Sequence, residues 1–375
     1  MNTRQIEAYL GFSYFLGIGP TRFAAIFASF EGVERAYRAT YEELSRVIGS
    51  QAAHKFVTFR AKFNPTEEVK ILQYKKIQII CQEDLLYPVR LKEISDPPIC
   101  LFVKGDPTVL NCENLFLGVV GTRKPTAYGR EVAKNLTREL VSEGCIIVSG
   151  LADGIDAAAH ESCLDSGGAT IGVLGCGVDV VYPASNRILY EKIIKQKGVV
   201  LSEFPPSQLV AKGLFISRNR IISGLSHGII VVEGSEHSGA LITARHAAEQ
   251  GRDVFAVPSQ ITSPLSHASH LLIKQGAKLV SSSQDIFDEY SIVKSPSIKV
   301  RLDLTFEEEV LIKALHDKPK SVDDLIESLE YPAPVILRLI TELEIKKVIY
   351  KDDVQTYHAY RNVLKEQGAS GPDAI

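Results

Sequence analysis

At 375 residues, with 45% apolar and 23% charged side chains, the chain has material for two or three buried cores and does not read as disordered. A formal charge of −3 excludes a molecule coated in basic surface, so any nucleic-acid site has to be a local patch. Residues 2–7 have no signal-peptide apolar stretch, no run approaches the ~20 apolar residues of a membrane span, and six cysteines without a Cys-x-x-Cys pair read as reduced core residues of a cytoplasmic protein.

Residues 1–75 read as a small helical domain, with Ile6, Tyr9, Leu10 and Phe12, then Phe23, Ile26 and Phe27, then Leu44, Val47 and Ile48 mostly three and four apart. Between the first two helices, Leu16-Gly17-Ile18-Gly19-Pro20-Thr21 has the form of a helix-hairpin-helix turn. Such a turn offers N–H groups to a phosphate, but it serves equally as a ligand-free connection. Residues 76–110 supply two strands, 77–81 and 99–104, expected as an extension on the edge of the next domain.

From residue 115 apolar runs alternate with amphipathic helices. Strands are expected at 115–121, 145–150, 170–175, 199–204, 228–233, 254–258 and 278–281. Helices fall near 127–143, 154–166, 185–196, 218–225, 239–250 and 267–275. Strands apolar on both faces and separated by helices predict an α/β fold, a Rossmann-like doubly wound parallel sheet with ligands at its carboxyl edge. Together with the preceding extension this domain spans 76–290.

Residues 291–303 read as a linker and 304–362 as a C-terminal winged helix. Its parts are helices at 306–315, 322–329 and 334–345 and strands at 348–351 and 356–360 turned by Asp352-Asp353, followed by a disordered tail at 363–375. The helix at 334–345 is mostly apolar, with Arg338 facing Glu342. It is therefore expected to meet protein more readily than duplex DNA.

The first core strand runs into Gly121-Thr122-Arg123 and then a helix, where a Rossmann fold presents N–H groups to an anion. Neither Gly-x-Gly-x-x-Gly nor Gly-Lys-Ser/Thr occurs there, so a dinucleotide or P-loop reading fits poorly and no cofactor is expected. Arg123 instead supplies a fork of donors for a phosphate; the competing reading is a turn glycine and a salt-bridged arginine. Ser149-Gly150 ends the second strand, and Asp153 and Asp156 suit capping of the helix that follows. Gly175-Cys176-Gly177 ends the third, a pattern expected where a chain-like ligand nears the backbone.

Lys212 to Arg220, lying between the fourth strand and a helix at 218–225, carries Lys212, Phe215, Arg218, Asn219 and Arg220. Cations beside a ring are the two halves of a single-strand site, with Phe215 as a core residue the alternative. Ser238-Gly239 at a helix mouth adds further N–H donors. Glu233 and Glu236 admit an enzymatic alternative, a general base on a nucleotide sugar, although no His, Cys or Ser is arranged with them. His267 and His270 lack a third ligand, so no metal is expected.

This series of motifs resembles the DNA processing protein A (DprA/Smf) family of bacterial transformation proteins. The matching runs are Gly121-Thr122-Arg123 with Pro125-Thr126, Ser149-Gly150-Leu151-Ala152, Gly175-Cys176-Gly177 with Asp179 and Tyr182-Pro183, Arg218-Asn219-Arg220, Ser238-Gly239-Ala240-Leu241 and Ala256-Val257-Pro258. The resemblance implies a non-enzymatic protein that binds single-stranded DNA, protects incoming strands, forms a homodimer and loads the RecA recombinase. It puts the phosphate-gripping arginine on Arg123, and the lysine and stacking aromatic on Lys212 and Phe215. The chain departs from the pattern at Ile216, usually proline, and at Ser259, usually glycine, so the segment carrying Phe215 is expected to follow its own path. The family's core is also similar to phosphoribohydrolases, which need an acidic pair absent from 238–243.

Overall fold

The computed structural model describes residues 1–291, 304–329, 331–346, 348–351 and 356–359, without the side chains of 316 and 317. These fall into two compact units, one ending at 291 and one beginning at 304. The expected linker lies outside the described residues except for Ser291, and the expected tail and the Asp352-Asp353 turn lie outside them entirely.

The first unit opens with six helices: α1 (Thr3–Tyr14), α2 (Pro20–Ser29), α3 (Val33–Arg38), α4 (Tyr41–Ile48), α5 (Ser50–Arg60) and α6 (Pro65–Tyr74). Reciprocal capping by Asn2 and Gln5 starts α1, and by Thr40 and Glu43 starts α4. Helix α1 is buried on two sides. Tyr9 and Phe12 enter an aromatic core with Phe23 and Phe56, where the Phe12 and Phe56 rings stack at 5.0 Å. Leu10 packs instead with Phe102, Leu174 and Val200 of the sheet. The helices thus share a core with the α/β region and belong to the same compact unit.

Nine strands form one sheet: β1 (Gln78–Cys81), β2 (Cys100–Gly105), β3 (Phe116–Val120), β4 (Ile146–Ser149), β5 (Thr170–Val173), β6 (Val199–Ser202), β7 (Gly228–Val231), β8 (Asp253–Ala256) and β9 (Lys278–Leu279). Their order is β1-β2-β6-β5-β4-β3-β7-β8-β9. The seven strands from β3 on are parallel, and β1 and β2 extend the β6 edge antiparallel, as the early apolar runs predict. Eight further helices complete the unit: α7 (Val89–Lys92), α8 (Ala127–Ser142), α9 (Ile155–Asp165), α10 (Arg187–Lys195), α11 (Lys212–Leu225), α12 (Gly239–Glu249), α13 (His267–Lys274) and α14 (Ser283–Glu289).

Alternate residues of β3 serve opposite layers. Phe116 and Val120 pack beneath α11, α12 and α13, whereas Leu117 and Val119 pack beneath α8, α9 and α14. The chain winds from β3 outward to β6, then crosses back to place β7 on the other side of β3, with Val120 opposite Val231. At this reversal the connections leave the sheet in opposite directions and open a crevice at the carboxyl ends of β3 and β7.

The second unit holds α15 (Phe306–Asp317), α16 (Val322–Leu329), α17 (Ala333–Ile345), β10 (Ile349–Lys351) and β11 (Tyr357–Ala359), the parts expected of a winged helix. Leu311, Leu325, Ile336 and Leu343 meet in its core, and Arg338 reaches Glu307 at 3.0 Å. Among the described residues no helix is long and apolar enough to cross a membrane.

Candidate nucleic-acid interface

The crevice at the reversal is a cleft of about 890 Å³, lined by the loop from Val120 to Lys124, by the first turns of α11 with Lys212 and Phe215, and by the start of α12 with Ser238 and Gly239. Its β3 wall is shaped from below. Thr122 N–H donates to Glu233 O at 2.7 Å, and Thr122 O accepts from Ile155 N–H at 3.2 Å. Thr126, which caps α8, donates both its N–H and its hydroxyl to the Glu233 carboxylate, at 2.9 and 2.6 Å. Glu233 is 1% exposed, so this carboxylate is a buried clamp on the Gly121–Thr126 loop and is not presented to a substrate.

Arg123, within that loop, is exposed and extends over the Phe215 ring, 5.6 Å from its centroid. Tyr182 flanks the same ring at 5.4 Å with an interplanar angle of 39°. Among the described residues no carboxylate forms an ion pair with Arg123 or Lys212. Lys212 is exposed and opens α11, whose preceding residue Ala211 provides no side-chain cap. Of the first-turn N–H groups of α11, that of Leu214 turns back to Ala211 O at 3.1 Å and no side chain caps the others, and a cation there opposes the helix dipole. Both conditions favour an anion as the missing partner. Ser238 caps α12 across the cleft, accepting from Ala240 N–H, with Gly239 in the first turn.

Three expectations change. Helix α11 begins at Lys212 rather than 218, so the presumed connecting segment with Phe215 is helical; Gly213 and the uncapped start hid this. With Ile216 in place of proline, the first turns keep their backbone donors. Arg220 does not line the cleft: it is 5% exposed and held by Glu203 at 2.6 Å and Asp96 at 2.8 Å. Ser149 is fully buried, donating to Val119 O at 2.6 Å, and ties β4 to β3.

Arg218 and Asn219 touch the cleft but face inward. Arg218 is 5% exposed and donates through Nη1 to Gly150 O at 2.6 Å and to Val173 O, bracing the ends of β4 and β5. Burial lowers its pKa to about 10 against the favourable charge of buried Asp156, so it remains a cation beneath the cleft floor at neutral pH. Asn219 donates to Gly239 O at 3.3 Å and so joins α11 to α12.

The glycines of the carboxyl edge accommodate protein rather than ligand. A Cβ on Gly121 would stand 2.6 Å from Ile155, on Gly150 2.6 Å from the Arg218 guanidinium, and on Gly175 2.8 Å from the Phe215 ring. Gly213 and Gly239, in contrast, have nothing within 4 Å of that position. Tyr182, Val210 and His237, all on the cleft wall, were not among the predicted binders. Only the Tyr182-Pro183 pair had drawn notice in the sequence, as a motif without a role.

Comparison with known proteins fits this geometry. The model of DNA recombination-mediator protein A matches residues 78–291, and the DprA winged helix domain matches residues 301–350. The chain belongs to the DprA/Smf family. A DprA from Bacillus subtilis is 50% identical over 203 residues, covering 54% of this chain and 68% of that protein. The Smf protein of Synechocystis is 39% identical over 285 residues, covering 75% and 71%. Among solved structures, DprA from Streptococcus pneumoniae superposes with a TM-score of 0.68 at 36% identity, covering 77% of this chain and 98% of that one. DprA from Helicobacter pylori, whose structure is described for its single-stranded DNA binding mode, gives 0.52 at 31%, covering 57% and 96%. A DprA/Smf protein is a DNA-processing protein, and the shared region 78–291 contains the whole cleft.

Proposed function

We propose that the cleft binds single-stranded DNA without chemistry on it, and that the protein protects incoming strands and passes them to the RecA recombinase during transformation. One observation carries the reading: two exposed cations without carboxylate partners, Arg123 and Lys212, stand at a cleft whose walls include Val210, Phe215, Ile216 and Tyr182. Cations meet the backbone, and the apolar wall meets bases, which only an unpaired strand can turn toward it. Gly239, in the first turn of α12, contributes a neutral backbone donor, the N–H groups of Thr122 and Ser238 being held by Glu233 O and Ser235 O, and Gly121, Gly150, Arg218 and Asn219 support the floor. The absence of catalysis is supported by Glu233, whose carboxylate is buried and bonded to Thr126, and by the lack of an acid in 238–243. Recombinase loading and a homodimer are part of this reading, and the family resemblance is what supports them. In a dimer two clefts can hold one strand, which raises avidity without new contacts.

The test is affinity for oligo-dT across salt concentrations. A negative slope of log affinity against log salt is expected, and Arg123→Ala or Lys212→Ala should each reduce it by about 0.7. Unchanged affinity in both variants rejects this site. Co-purification of the recombinase with and without the strand tests the loading step.

A further inference from the structure

One connection between the N-terminal helices and the segment that leads to the cleft runs through a lysine. Lys75 ends α6, and its Nζ reaches a residue 104 positions away, donating to Asp179 Oδ2 at 2.7 Å and to Ser207 Oγ at 3.2 Å. The second carboxylate oxygen of Asp179 accepts from Ser207 N–H at 2.7 Å. Ser207 has φ +66°, a left-handed conformation that a residue with a Cβ keeps only when its surroundings hold it.

The same segment lies flat on Gly177. Gly177 N–H donates to Gln208 O at 2.8 Å, and a Cβ on Gly177 would stand 2.7 Å from Pro205 O and 2.8 Å from Ser207 N. Beyond Gln208 the chain passes through Leu209 and Val210, 70% and 39% exposed, to the exposed Lys212. The approach to Lys212 is therefore anchored at Ser207 and Gln208, and the anchor is tied to α6. Burial alone would raise the Asp179 carboxyl; the bonds from Lys75 and Ser207 N–H outweigh it and hold the group below the usual range. With the Asp179 side chain 15% exposed and that of Lys75 33%, the pair is shielded more than a surface ion pair.

We propose that Lys75 is a positioning residue for strand binding: acting through Asp179 and Ser207, it fixes the segment that delivers Lys212 to the cleft, so that the N-terminal helices set DNA affinity without touching DNA. This rests on the cleft being the strand site. Removal of an ion pair that only stabilised the fold would lower stability and leave affinity and segment order alone.

The experiment uses the full chain, with Lys75→Met, Lys75→Arg, Lys212→Ala and the double variant Lys75→Met/Lys212→Ala, each first checked for a cooperative thermal transition. Lys75→Met is expected to weaken oligo-dT binding about fivefold and to speed amide exchange across 205–211 about tenfold; Lys75→Arg should restore both. In the Lys212→Ala background, Lys75→Met should cost less than twofold, since the positioned cation is already gone. Equal losses in both backgrounds, or faster unfolding with unchanged affinity and exchange, overturn the proposal. If Lys212→Ala and Arg123→Ala leave binding intact, the cleft reading itself fails, and exchange across 205–211 then reports separately on whether Lys75 holds the segment.

Discussion

The hydroxyl of Thr126 lies 2.6 Å from a carboxylate oxygen of Glu233, and the Thr126 N–H lies 2.9 Å from the other. These two bonds join the carboxyl end of the β7 connection to the start of α8 and enclose the loop that carries Arg123. The glycine at 129 is part of the arrangement, because a Cβ there would stand 2.2 Å from Glu233 Oε2.

Glu233→Gln keeps the shape and an oxygen for the Thr126 N–H, but its amide nitrogen then faces the Thr126 hydroxyl, so the bond from that hydroxyl to a charged oxygen is lost. Stability should fall by about 1.5–3 kcal/mol, the range for a buried bond to a charged group, and oligo-dT affinity should fall with it. Urea unfolding at neutral pH and a binding titration check this. Nucleotide cleavage by the wild type that Glu233→Gln abolished would instead revive the enzymatic alternative.

Arg123 and Arg220 should separate cleanly. Arg220→Met leaves Glu203, with a side chain 10% exposed, without its cation, so stability should drop by about 3–5 kcal/mol while the salt slope of binding is kept. Arg123→Ala should do the opposite, with stability nearly unchanged and a shallower slope. Chemical denaturation paired with salt-titrated binding measures both effects.

Glycine substitutions should divide by what occupies the space. Gly150→Ala drives a methyl into the Arg218 guanidinium, which two carbonyls hold in place, and should cost about 1–3 kcal/mol. Gly213→Ala and Gly239→Ala meet no atoms within 4 Å and should change stability by less than about 1 kcal/mol. A loss of DNA affinity in the latter two with stability kept would mark a strand passing over those first turns.

His160 should impose a pH dependence on stability. The ring is fully buried, its Nδ1 is 2.7 Å from Thr170 Oγ1, and burial lowers its pKa from the ordinary 6.5 to about 3. Because the Thr170 hydroxyl donates to Ile147 O, Nδ1 carries the ring proton and the neutral form is the one that fits. Unfolding exposes a ring that takes up a proton below pH 6.5. The contribution of His160 is therefore complete above 6.5 and fades as pH falls toward 3, by on the order of 3–5 kcal/mol. His160→Gln should flatten this window in denaturation curves recorded from pH 7 to pH 4.

Much of the architecture was legible because it rests on short-range patterns. Runs such as Ile146–Ser149 and Gly228–Val231 are buried throughout, as strands covered on both faces must be, and the helices between them set the parallel crossovers. Thr126, Ser238 and Thr305 likewise announce helix starts from their own side chains. The start of α11 carried no such signal, and its first turns passed for a loop.

The sequence by itself determined the order of strands and helices, the family, and the placing of Arg123 at a strand end that opens on a crevice. Only the tertiary structure decided which cations of the Lys212–Arg220 run face that crevice. Lys212 and Arg220 are eight residues apart on one helix, yet one is exposed and the other is enclosed by Asp96 and Glu203, partners 124 and 17 positions away. The same holds for Lys75 and Asp179, whose contact no local pattern announces. Periodicity reports which side of an element is buried; the charge that awaits a side chain there is supplied by other segments, and only the folded chain brings them together.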